Sequence, residues 1–383
     1  MAITITSSPG AYSSASDSMW VVCTSTNSSQ PSFKYVFDLQ VGGITIASIK
    51  LFPDQDGYGI LDTAPIIRNY FSSTFNPSGS GLLQGSSAGL HLDYTVNFGE
   101  EYIYLGILTT FPNIGTPGNY TAYQYILNPY RTSLSTYANK FLTTRDKIQA
   151  KVISGEKFFV TYFNQSLSNV TATIQKLNED GSNSGSSSTG SGISMAESLL
   201  LDLSPTAINS YLGTSFITDN TFAYTITIGS DTIKLTQVCS PRFTPIYLVF
   251  QNAWGGYDSF AFRLLSRNSK KFNHKNYDSV DYIRSGGVMN FKDSYNRYYG
   301  GMTNFATSID QSFKVISDYL SVTDYNHGSE LLASNEVYYL VNGDYYPITF
   351  QTQTWEEKNY NSDKMFNFEL SFDLGKTTYA QFR

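Results

Sequence analysis

Residues able to do bond-making chemistry are scarce in this chain. A hydrolase triad needs a general base beside its nucleophile, and the chain holds three histidines, His91, His274 and His327. None sits in a nucleophile-elbow context, and each reads as a loop or surface residue. No His-Glu-x-x-His pair and no Walker-type phosphate loop is present. Glu100-Glu101 and Glu356-Glu357 are adjacent carboxylates, and neighbours on a strand point to opposite faces, so neither pair converges on a substrate. A glycosidase assembled from two distant carboxylates stays open, with nothing to single out a pair. Asp54-Gln55-Asp56-Gly57-Tyr58-Gly59 with Asp62 looks like a calcium loop. An EF-hand, however, needs oxygen ligands where Tyr58 and Pro65 stand, so a hairpin turn is the expectation. Cys23 and Cys239 are too few for a disulfide framework or a cysteine zinc site and read as small buried apolar residues. The expectation is a non-enzyme with no catalytic residue, metal ligand or cofactor.

Charge narrows the partners. The net charge is −6, from 25 basic and 31 acidic residues, the wrong sign for a dedicated nucleic-acid binder. The run at 267–275, RNSKKFNHK, could face a phosphate backbone but reads more simply as a solvated loop. No apolar stretch reaches the length of a membrane-spanning helix, so no membrane insertion is expected. Met1 to Gly10 shows no basic and apolar leader pattern, so synthesis in a cytosol is expected.

The elements read mainly as strands. Phe33, Tyr35, Phe37 and Leu39 alternate with polar neighbours, and 44–51 continues the pattern with a parity switch near Ala47 that suggests a bulge. Residues 102–108, 123–127 and 158–163 read as further strands, and Asp62-Thr63-Ala64-Pro65 opens a short helical turn. Ser194-Met195-Ala196-Glu197 reads as a capping box. Ser204-Pro205 before PTAINSYL, with Gly213 after it, predicts a short helix. Turns at Gly229-Ser230-Asp231 and Asn342-Gly343 predict two hairpins, Phe366 to Phe372 alternate as a closing strand, and Phe313, Ile316, Tyr319 and Leu320 suggest a helix near 310–322. The fold class expected is mainly β, two or more linked antiparallel β-sandwich-like domains with a few short helices. The expected domains are 1–180, with a long loop at 72–100, and 193–383. Between them the Ser/Gly-rich stretch 181–192 is either a flexible linker or a loop within one sandwich.

What stands out is tyrosine: 30 of them, beside 26 Phe, in a chain only 15% charged, against about 25% charged in ordinary globular proteins. Pairs such as Tyr298-Tyr299, Tyr338-Tyr339 and Tyr345-Tyr346 place rings on both faces of a strand. Tyr unites large area with a polar tip and is enriched where surfaces meet. Covered assembly faces and simple polar sheet faces both fit. Tyr298, Tyr299, Tyr345, Tyr346 and Trp254 are the candidate oligomer-interface residues, and 72–100 and 280–305 the candidate arms.

Several stretches resemble a known group. PSFKYVFDLQVGGITIASIKLFPDQDGYGILDTAPIIRNYFS in the first half is similar to the opening module of structural proteins from crAss-like, Bacteroidetes-infecting tailed phages. In the second half QNAWGGYDSFAF at 251–262, SELLASNEVYYLVNGDYYPITFQTQTWEEK at 329–358 and DKMFNFELSFDLGKTTYAQFR at 363–383 resemble the same group. The resemblance implies a virion component of the tail barrel or head–tail neck, assembled in the bacterial cytoplasm. It further implies a homo-oligomeric ring, twelvefold by family expectation, meeting portal, neck or other tail proteins, with DNA passing through unbound. It carries no active-site residues. The alternative is a phage adhesin or glycan-binding surface module whose Tyr and Trp stack on sugars.

Overall fold

The computed structural model describes residues 3–10, 12–71, 75–86, 91–123, 139–148, 150–164, 168–193, 198–238, 241–352, 354–356, 366–375 and 378–382. The chain is mainly β, with several antiparallel sheets and three short α-helices among the described residues. It divides into two compact units. Unit 1 comprises Met1–Cys239 together with Gln251–Ser259, and unit 2 comprises Ser240–Phe250 and Phe260–Arg383. The expected boundary at 181–192 is therefore displaced to about 239.

Unit 1 contains two sandwiches. The first uses β1 (Ile3–Ser7), β2 (Tyr12–Ser14), β3 (Trp20–Ser25), β4 (Lys34–Val41), β5 (Ile44–Leu51) and β6 (Tyr58–Asp62). After α1 (Ala64–Ile67) and β7 (Leu83–Ser86) come β8 (His91–Tyr104), β9 (Ile107–Phe111) and β10 (Gly118–Tyr123). A three-stranded sheet, β1-β3-β6, shares one core with the six-stranded sheet built on β2-β10-β8-β4-β5. Tyr35, Phe37 and Leu39 of β4 bury as their alternation demands, with the Phe37 and Phe98 rings edge to face at 5.8 Å. Burying each such side chain contributes roughly 1.5–3 kcal/mol. The bulge expected near Ala47 is present: the β4–β5 register shifts between Leu39 and Gln40 and leaves Ile46 over.

The second sandwich uses β11 (Lys140–Leu142), β12 (Ala150–Val152), β13 (Phe159–Phe163), β14 (Ala172–Leu177), β15 (Asn183–Thr189) and β16 (Ser198–Asp202), then α2 (Pro205–Leu212), β17 (Ala223–Ile228) and β18 (Asp231–Gln237). The sheets β11-β13-β16-β7 and β12-β18-β17-β14-β15 enclose a core with Leu199, Leu201, Ile174 and Ile226. The helix α2 forms as its caps predict. The Ser204 hydroxyl accepts the Ala207 N–H at 3.3 Å, Pro205 opens the first turn, and Gly213 closes it at φ 67°.

Two Ser/Gly-rich stretches contain strands where loops were expected. Within the loop expected over 72–100, Leu83–Ser86 form β7, which joins the second sandwich, and residues 91–104 form the fourteen-residue β8. Of the two readings of 181–192, the stretch lies within one sandwich and is no linker: β15 forms a hairpin with β14, turning at Gly181 with φ 81°, and Thr173 and Thr189 pair their hydroxyls at 3.1 Å. Ser and Thr pair across strands as well as they solvate loops, so composition misleads here. The capping box at 194–197, most of 123–127 and Cys239 lie outside the described residues.

Unit 2 holds most of an eight-stranded sheet, a separate two-stranded ribbon and one helix. Its strands are β19 (Ile246–Gln251), β20 (Tyr257–Phe262), β21 (Arg267–Ser279), β22 (Ile283–Ser285), β23 (Val288–Asn290), β24 (Gly301–Ile316), β25 (Val337–Val341), β26 (Asp344–Phe350), β27 (Glu369–Leu374) and β28 (Thr378–Phe382), with α3 at Val322–Ala333. The order is β20-β19-β25-β26-β27-β24-β21, with β28 also on β24 and β22-β23 as a separate ribbon. The hairpins at 223–237 and 337–350 form as read, Asn342 and Gly343 both taking positive φ (53° and 90°). The helix expected at 310–322 is absent. Phe313 and Val315 bury with period two against β27, and the helix starts later, where Ser321 caps it by accepting the Asp324 N–H. Tyr319, expected on the buried face, is 54% exposed.

Candidate functional site: an exposed hairpin arm

Several groups that could do chemistry take part in packing or hydrogen bonds among the described residues. Glu100 is fully buried and accepts hydrogen bonds from Ser25 and Asn27. Beside it on β8, Glu101 receives Lys50, Lys34 and Thr110. The Lys50 ammonium and the Thr110 hydroxyl hold Glu101 below the usual carboxylate range. In the turn before β6 Asp54 Oδ1 accepts the backbone N–H groups of Asp56 and Tyr58. Burial pushes the Cys23 thiol up to about 12, which leaves it a packing residue. His274 is exposed, its Nδ1 3.1 Å from Thr307 Oγ1. His327 is buried in α3 against the Phe250 ring, contrary to its surface reading. Residues 85–89 spell Gly-x-Ser-x-Gly, a pattern the sequence reading passed over; it begins inside the edge strand β7, and 87–90 lie outside the described residues. No group of three His, Cys, Asp or Glu is placed to hold a metal among the described residues.

A long hairpin runs from the unit 2 sheet, where β24 also pairs β27 and β28 between Ala306 and Ile316, out to an exposed end. β21 and β24 pair from Arg267↔Lys314 to Ser279↔Gly301, with one bulge between Lys275 and Asn276. Thirteen residues at about 3.3 Å each span roughly 40 Å. β21 is the last strand of its sheet, so its outer edge is unpaired among the described residues. The run 267–275, expected as a loop, is this edge strand. Lys270, Lys271 and Lys275 on it blunt a free edge against indiscriminate pairing. The strand signal was legible in its partner, where Thr303, Phe305, Thr307 and Ile309 alternate with Asn304, Ala306, Ser308 and Asp310.

Beyond Ser279 the arm ends in a tip built from two turns. Gly286 and Gly287 take positive φ to join β22 to β23. Asp293 then accepts the N–H groups of Tyr295 and Arg297 and the Arg297 Nε. Those bonds, the Arg297 N–H first, hold the Asp293 carboxyl below its usual range. Apolar side chains on this tip face water: Val280 is 69% exposed, Val288 62% and Met302 76%. A two-stranded ribbon has no second layer to cover them.

The five candidate interface residues fall on three elements. Tyr298 (74% exposed) and the half-buried Tyr299 sit on the arm tip. Tyr345 and Tyr346 sit on β26, half-buried and exposed respectively. Trp254 packs half-buried against Tyr123, Leu142 and Phe163 and so serves unit 1 itself. The expected arm at 280–305 lies on this exposed hairpin, whereas the expected arm at 72–100 contains β7 and most of β8 among its described residues.

A second exposed hairpin end went unrecognised. Residues 102–108 were expected as one strand, but β8 turns into β9 at Leu105-Gly106, both with positive φ (51° and 83°). Leu105 is 86% exposed and Ile107 69%. Gly106 inside an apolar run was the available turn signal.

Compared with known proteins, the chain matches no family model and no curated protein. Among solved structures, a marsupial T cell receptor aligns at 9% identity, covering 81% of this chain and 95% of that one, with a TM-score of 0.20. A score that low carries no argument.

Proposed function

We propose that the chain is a non-enzymatic structural subunit of a tailed-phage virion that assembles with its own copies into a ring of the tail barrel or head–tail neck. One observation carries the reading: a hairpin that beyond Ala306 continues as a two-stranded ribbon and ends in apolar and aromatic side chains that nothing in that ribbon can cover. Exposed apolar patches of this kind mark protein contacts. The resemblance of the 31–72, 251–262, 329–358 and 363–383 stretches to crAss-like phage structural proteins supplies the setting. There the ring, twelvefold by that resemblance, surrounds a DNA channel and meets portal, neck or tail proteins. A net charge of −6 suits a conduit that lets DNA pass without holding it.

Mass photometry and electron microscopy of the purified full chain test the proposal. Closed rings of one stoichiometry are expected; a strictly monomeric particle at every concentration overturns it. In the glycan-binding alternative the exposed tip tyrosines would be the stacking platforms. However, Lys292 stands over the Tyr298 ring at 4.4 Å and Arg297 over Tyr295 at 5.4 Å, occupying one face of each. Specific glycan-array signal from a monomer would promote that alternative.

A further inference from the structure

Exposed large apolar side chains concentrate at two hairpin ends among the described residues. One is the arm tip, with Val280, Ile283, Val288, Met289 and Phe291. The other is the β8–β9 finger, with Ile103, Tyr104, Leu105, Ile107 and Leu108. The β9 strand itself, Ile107-Leu108-Thr109-Thr110-Phe111, carries no charge and no proline. A free apolar edge of that composition lacks the usual protection against pairing.

The charges of the two regions differ. Residues 267–316 hold eight Lys and Arg against four Asp and Glu, a net +4. The rest of the chain is therefore at −10. The finger belongs to unit 1, which carries eleven basic and seventeen acidic residues, a net −6.

Like pairing fails on these numbers. The tip itself, 280–300, holds three basic and two acidic residues, so two arms meeting tip to tip would gain no charge attraction and would leave both fingers uncovered. Two fingers meeting would leave both arms uncovered. Unlike pairing covers both apolar ends and matches positive against negative.

We propose that the arm of one copy docks on the β8–β9 finger of a second copy of this chain, its basic strand lying against the acidic unit that carries the finger. This is a heterologous contact, in which two different patches of one chain meet. Repeated, such a contact closes a ring where the rotation allows. The inference rests on the ring reading only in requiring that copies associate.

The test places a photo-crosslinking amino acid at Met289 in the full chain. Light and 15N-labelled copies are mixed and irradiated, and the linked peptides are identified by mass. Mixed-isotope links from 289 to the 100–111 segment are expected. Lys270→Glu, Lys271→Glu and Lys275→Glu together should abolish those links while leaving thermal unfolding unchanged. Rings whose links from 289 fall elsewhere, or only within one copy, overturn this inference and leave the ring reading standing. A monomer without inter-copy links overturns both. A monomer that instead sediments with anionic phosphatidylserine vesicles through the arm assigns the tip to lipid and likewise overturns the inference.

Discussion

At the residue scale, the acidic groups of unit 1 act as structural acceptors, and Glu101 shows this most clearly. Its carboxylate lies on β8 opposite Lys34 and receives Lys50 and Thr110. Its folded pKa is lowered, so its contribution is fully present above the ordinary carboxylate value of 4.5 and is lost as pH falls through the folded pKa. Urea midpoints measured from pH 7 down to pH 3 should therefore fall on the acid side, and Glu101→Gln should flatten that fall. At neutral pH the variant should lose only about 1 kcal/mol, because Lys50 is half exposed and its pairing is screened. Parallel pH curves for the two proteins would remove Glu101 from this role. The pair Glu100-Glu101 was legible in the sequence as non-convergent. Its burial was not, because it depends on β4 and β9 flanking β8 on both sides.

At the element scale, local signals succeeded where they agreed with their tertiary surroundings. The helix α2 was readable because Ser204, Pro205 and Gly213 act within a few residues of one another. The two tight hairpins were readable for the same reason. The arm's lengthwise pairing was not, since a thirteen-residue register between 267–279 and 301–314 is a non-local fact. Helix α3 was missed partly because Gly328 interrupts a helical pattern. Its reason is packing: a Cβ at 328 would stand 2.5 Å from the Phe368 ring, so the glycine lets the helix approach the sheet. Gly328→Ala should therefore destabilise unit 2 by roughly 1–3 kcal/mol. That is opposite in sign to the gain of about 1 kcal/mol that helix propensity alone predicts. A raised unfolding midpoint would refute the close-packing account. The arm tip should behave in the contrary way. Replacing residues 280–300 by Asn-Gly keeps the Ser279↔Gly301 pair and removes no buried side chain of the unit 2 core. The unfolding temperature of that variant should stay within about 2 °C of the parent's, since changes outside the core generally stay within half a kcal/mol, while ring formation is lost. A variant that no longer folds would make the tip part of the core instead.

At the scale of the whole molecule, the uneven distribution of a small number of charges governs how copies meet. A chain at −6 overall, with +4 gathered on one ribbon and −10 elsewhere, repels its copies at long range yet offers one attractive approach. Exposed charges are screened over about 8 Å at physiological salt and about 3 Å at 1 M. Apolar contact is instead strengthened by sulfate, which is excluded from protein surfaces. The two contributions to association therefore separate by salt type. In sedimentation velocity, raising sodium chloride towards about 1 M should shift assembled chain towards single copies, because screening removes the arm's attraction. Raising ammonium sulfate to the same ionic strength should restore assembly through the arm tip and the β8–β9 finger. If both salts act alike, association rests on one kind of contact, and the pairing of a basic arm with an acidic neighbour is not what holds copies together. If sodium chloride dissociates the assembly and sulfate restores it, the scarcity of charge and the abundance of exposed aromatic and aliphatic side chains work as two halves of one recognition surface.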